Sequence, residues 1–197
     1  SHASILLTGF GAFPGIPDNA TARLVPVLAG AARTAFPDHC VHAEILKTEW
    51  ADAPARVEQL LAEHRPDLAL HFGVARDARG FRIERCARNT CHATVDAMER
   101  LPPARHVLAG GADTHAVGIP ADAIVRHLKD EGYPAAASDD AGGYLCNAVL
   151  YHSLHHGRAH GTRAGFVHLP ADLSGPPLPF ADALSGSLEI LKVCLHG

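Results

Sequence analysis

No run of lysine or arginine marks the chain, and its 17 basic side chains are outnumbered by 21 acidic ones, for a formal net charge of -4. Nucleic acid and anionic membrane surfaces are therefore not expected partners. No apolar run approaches the ~18 residues a bilayer requires. The opening "SILLTGFGAF" lacks a basic flank and reaches glycine too soon for a secretory leader. Internal repeats and low-complexity linkers are missing as well. The five cysteines, Cys40, Cys86, Cys91, Cys146 and Cys194, form no CxxC motif and are odd in number. That argues against a disulfide framework and for reduced thiols in the cytoplasm.

What remains is ordinary globular composition, 47% hydrophobic and 19% charged over 197 residues. This is enough for one well-buried domain and short for two. Ser1 and His2 read as a purification-tag remnant, leaving 3–197 as a single domain. Short apolar runs alternate with amphipathic ones. Strands are expected at 4–10, 40–46, 67–75, 134–138 and 164–170, and helices at 19–33, 53–65, 119–132, 144–157 and 180–195. Asn19 or Thr21 opens the first helix, which contains Pro26. Gly132 and Gly157 stop the third and fourth helices. The alternation predicts an α/β three-layer sandwich, a mostly parallel twisted sheet with helices on both faces. Residues 76–118 fit this rhythm poorly and are expected to hold antiparallel strands or a long loop near a site.

In such a sheet, ligands bind where strands feed helices. "PAAAS" followed by "DDAGG" places Cys146 in the first turn of a helix. Gly142 and Gly143 permit a tight turn and close approach by a substrate. The free N–H groups there favour a thiolate and an oxyanion beside it. A nucleophilic thiol wants a base, and His168 in "GFVHLP" ends the strand that follows the cysteine's helix. A parallel strand–helix–strand unit would bring the two together. The base wants an acid. Glu84 in "FRIERCARN" has uncharged neighbours and needs a partner; Asp139 and Asp140 compete with it, and spacing does not choose among them.

Four blocks carry a family resemblance. "LLTGFGAF" with the downstream Asn19 is similar to a TGFxPF block, "ERCARN" to ERxAxN, "AGGYLCNAVLY" to AGxxxCNxxxY and "AGFVHLP" to GFxHxP. In this order they resemble the pyroglutamyl-peptidase I family of cysteine peptidases, of which the chain reads as a divergent member. The resemblance implies cleavage after an N-terminal pyroglutamyl residue through a thioester. Cys146 would be the nucleophile, His168 the base and Glu84 the acid, with no metal or organic cofactor. Phe10 and Phe13 match the family's aromatic pair and suit a flat lactam ring. With Asn19 they form the expected substrate contacts. A peptide or small amide is the implied partner, and homo-oligomers are common among relatives.

The departures lie before the acid. Where the family reads GQAGGR, this chain reads "GVARDARG", which puts Val74 at the usual glutamine and Ala78 at a site-associated arginine. Arg76 or Arg79 would have to reach in instead. The stretch after "ERCARN" is shortened, as if a covering loop were reduced. These changes keep two alternatives open: hydrolysis of another small N-acyl group or amide, and a non-catalytic pyroglutamyl-binding scaffold. A further rival is a metal site, since His152, His155, His156 and His160 cluster, and His152 and His156 stand at i, i+4. Ser153 occupies the place of the HExxH glutamate, which favours a solvated histidine-rich helix end.

Overall fold

A computed structural model describes residues 2–196. Ser1 of the expected tag remnant and Gly197 at the end of the expected domain lie outside the described residues. The chain runs β1 (Ser4–Phe10), α1 (Ala20–Ala35), β2 (Cys40–Leu46), α2 (Ala53–His64), β3 (Leu68–Val74), β4 (Phe81–Glu84) and β5 (Cys86–Arg88). It continues through β6 (Thr114–Ala116), α3 (Ala121–Asp130), β7 (Ala135–Ser138), α4 (Leu145–His160), β8 (Arg163–Leu169) and α5 (Phe180–His196).

Six strands form one sheet in the order β2-β1-β3-β8-β4-β7, and β5 pairs with β6 in a separate antiparallel ribbon. The β2, β1, β3 and β8 strands are mutually parallel. The β4 strand is antiparallel to β8 and parallel to β7, so the last two strands reverse direction. Alternation along β1 and β3 divides the core. Ile5, Leu7, Leu68, Leu70 and Phe72 face a cluster that includes Leu24 and Leu28 of α1, Ile124 of α3 and Ile190 of α5. Leu6 and Ala69 face the other way, with Phe166, onto Val57 and Leu61 of α2 and Val149 of α4. A strand buried on both faces is expected to be nearly all apolar, and β3 is, with His71 the one polar side chain along it. Two helical layers thus enclose a mostly parallel sheet, as the alternation of runs predicts.

Two expectations are corrected. The α4 helix does not stop at Gly157 but runs to His160, and Gly161 supplies the left-handed cap at φ 70°. Gly157 is a packing glycine, because Thr162 folds back on it and donates its N–H to the Gly157 carbonyl at 2.9 Å. The second correction concerns topology. The strands flanking α4 are not parallel neighbours, since β4 lies between β7 and β8 and β7 runs opposite to β8. Whatever brings Cys146 to His168, it is not a parallel strand–helix–strand unit.

Candidate active site

The seat of Cys146 is Gly73. In the parallel β3–β8 pair Gly73 stands opposite His168, and neighbouring strands lie about 4.8 Å apart. A Cβ built on Gly73 would come within 2.6 Å of Cys146 Sγ and 2.9 Å of the Phe166 ring. The sulfur therefore occupies the space a side chain on β3 would fill, over the strand next to His168. Cys146 and His168 line one cavity of about 290 Å³.

Glu84 reaches His168 because β4 is antiparallel to β8. Arg82 pairs with His168 in register, so Glu84, two residues on, shares that face as a diagonal neighbour. Glu84 Oε1 is 3.0 Å from His168 Nδ1, and the carboxylate is fully buried. Its Oε2 has no hydrogen-bond partner. A buried carboxylate with an unshared oxygen gains most from a positive imidazolium beside it. The rival acids are committed elsewhere, as turn chemistry suggests. Asp139 pairs with Arg85 at 3.2 Å, and Asp140 accepts the Gly142 N–H at 2.9 Å. Gly142 itself needs a left-handed φ of 83°. At Gly143 the His92 ring makes a close approach, and a Cβ there would meet it at 2.3 Å.

The electrostatics overturn one expectation. Burial pushes the Cys146 thiol up to about 12, the Glu84 charge acts in the same direction, and the local backbone N–H only partly opposes them. Desolvation thus outweighs the helix terminus in setting the basicity of the sulfur. No side chain caps the first turn of α4. Its N–H groups are thereby left for an oxyanion that forms during reaction.

Phe10, Phe13 and Asn19 all line the cavity. Phe10 is buried and continuous with Leu46 and Trp50. Phe13 packs against Tyr144 at 5.5 Å, and Tyr144 packs edge-on against Trp50. Asn19 is chiefly a cap. Its Oδ1 accepts from the Thr21 N–H and hydroxyl, and its Nδ2 donates to the Gly11 carbonyl.

Sequence reasoning did not anticipate Asp96. The segment between β5 and β6 is tied down by this buried carboxylate, which accepts from the N–H groups of Trp50, Met98 and Arg100, and the segment bonds Thr48 and Tyr144, two residues that line the cavity. Of the two arginines in the altered segment, Arg76 lines the cavity and Arg79 does not. The Arg76 guanidinium lies over Gly15, where a Cβ would strike its Nη2 at 1.9 Å. The signal that could have found Asp96 is the residue type itself, an aspartate in a stretch with neither helical nor strand period, a common anchor for turns.

The fold and cavity describe a three-layer α/β protein with a thiol, an imidazole and a buried carboxylate gathered at one sheet edge. The chain belongs to the pyroglutamyl peptidase family, whose model matches residues 3–174. It is 34% identical to the pyrrolidone-carboxylate peptidase of Pyrococcus furiosus over 84% of this chain and 80% of that one. It is 36% identical to the same-named protein of Chromobacterium violaceum over 85% and 77%. The crystal structure of Bacillus amyloliquefaciens pyroglutamyl peptidase I superposes with a TM-score of 0.87 at 27% identity, covering 99% of this chain and 98% of that one. A mutant pyrrolidone carboxyl peptidase from P. furiosus gives 0.89 at 28% identity, covering 98% of each. No helix among the described residues is long and apolar enough to cross a membrane.

Proposed function

We propose that this protein is a cysteine peptidase that hydrolyses the amide bond after an N-terminal pyroglutamyl residue. The observation that carries the reading is the Gly73-seated thiol beside a histidine that is itself held by a buried glutamate. His168 takes the thiol proton as sulfur attacks the carbonyl carbon. Glu84 orients the ring through Nδ1 and stabilises the imidazolium. The N–H groups opening α4 receive the oxyanion. On collapse, the C–N bond breaks, the imidazolium returns its proton to the leaving amine, and a thioester remains. Water, deprotonated by His168, then attacks the thioester and releases pyroglutamate and the free thiol. The lactam ring lies among Phe10, Phe13 and the apolar wall. Five unpaired cysteines suit a reducing compartment, the cytoplasm.

The test is release of a chromophore from a pyroglutamyl arylamide under reducing conditions. The parent protein turns over. Cys146→Ala and His168→Ala each lose about 10²-fold or more in kcat/KM, and Glu84→Gln loses activity with the fold retained by circular dichroism. Equal turnover by all four rules the mechanism out. Val74, Arg76 and Ala78 favour a second reading, a different small N-acyl group in the same cavity. A panel of N-acyl arylamides separates the two: the first reading requires the pyroglutamyl compound to be the best substrate.

A further inference from the structure

The histidines at the far end of α4 are not used by this chemistry, and three side chains there converge. His152 Nδ1 lies 3.3 Å from His156 Nε2, and His156 Nε2 lies 3.6 Å from Glu58 Oε2 on α2. All three ligand atoms fall within 4.8 Å of one another. Zinc with ligands at ~2.0–2.1 Å in a tetrahedron sets them about 3.3 Å apart, so two of the three edges are already near that length. Glu58 is exposed and free to close the third. The missing HExxH glutamate is no obstacle. Ser153 is buried and hydrogen-bonds His71 at 2.8 Å, so position 153 points to the sheet and away from this cluster. The carboxylate comes from the neighbouring helix instead.

From this juxtaposition we infer that Glu58, His152 and His156 form a Zn2+ site that clamps α2 to α4, outside the catalytic cavity. Two imidazoles and one carboxylate suit a borderline-soft transition cation and not Mg2+ or Ca2+. Burial and repulsion from neighbouring histidines lower the basicity of both rings, with the Glu58 charge opposing. The Val107 backbone carbonyl also acts as an acceptor toward the His152 ring, the kind of contact that orients a metal-bound imidazole. The cation joins two helices of the same layer, one of which carries Cys146 at its opposite end.

The experiment uses the full chain carrying Cys146→Ser, so that zinc has no thiol to bind at the candidate catalytic centre. Zn2+ is titrated by competition with a chromogenic chelator, and melting is followed with and without the metal. A single tight equivalent is expected, with a melting temperature that rises with zinc concentration. His156→Asn and Glu58→Gln, both on accessible side chains, lose that equivalent and the thermal shift. In protein with Cys146 intact, the same two variants retain full basal turnover without metal. Co2+ in the site gives tetrahedral d–d absorption with no sulfur charge-transfer band. Unchanged zinc affinity in both variants, or a cobalt spectrum with a thiolate band, overturns the assignment.

Discussion

Gly73 and Cys146 form a pair in which the smallest residue sets the position of the candidate nucleophile. Gly73→Ala forces the sulfur or the Phe166 ring to move by several tenths of an ångström. Because near-attack geometry is so sharply dependent on distance, about 10²-fold loss in kcat is expected, with melting temperature changed far less. Steady-state kinetics beside a thermal melt check this. The thiol makes a second prediction at this scale. With its pKa raised to about 12, the thiolate fraction keeps growing through the alkaline range. Cys146 alkylation by iodoacetamide, mapped by mass spectrometry, should climb from about pH 7 to about pH 10 without a plateau. A plateau near neutrality would mean that a stable thiolate is already present. The sequence supplies the identities of Cys146, His168 and Glu84 through its blocks, but local pattern leaves Glu84 level with Asp139 and Asp140. Only the diagonal contact from β4 to β8 separates them, and a contact between residues 84 positions apart leaves no local trace.

Elements with a clear period were legible in the chain. The β2 strand falls at 40–46 as expected, and the α1 helix begins after Asn19 and carries Pro26 without ending. Strand β4 was not legible. Four residues hold too little pattern to reveal a strand, and nothing local dictates that it pair antiparallel with β8. The end of α4 was misplaced because an interior glycine that packs on Thr162 looks like a stop. The segment between β5 and β6, expected as a loop near the site, is held by a few strong anchors. Burial alone would raise the Asp96 pKa, but hydrogen bonds from Arg100, Trp50 and Met98 bring it below the usual carboxylate range. Asp96→Ala leaves those three donors without their acceptor and should cost roughly 1–3 kcal/mol in urea unfolding. It should also raise KM more than it lowers kcat, since the segment bonds Thr48 and Tyr144 of the cavity wall. An unchanged KM would separate that segment from substrate binding.

Across the whole molecule, acid is the expected weakness. His71 is buried between Thr8 and Ser153, bonded to both hydroxyls, and burial lowers its pKa from 6.5 to about 3. The unfolded chain accepts that proton near 6.5, and the folded chain refuses it until far lower. The stability that comes from keeping the ring neutral is complete above pH 6.5 and drains away as pH falls toward 3. The limiting slope is about 1.4 kcal/mol per pH unit. Urea midpoints measured through this window should decline, and more shallowly for His71→Gln if that variant folds; a flat profile in the parent would contradict the assignment. The joint between β4 and β8 has a consequence for how competence arises during folding. The acid comes from mid-chain and the base from the last strand to be made, so a loop of more than eighty residues must close before the two meet. A refolding chain regains its helices early and its chemistry late, which makes turnover a reporter of the final step of assembly.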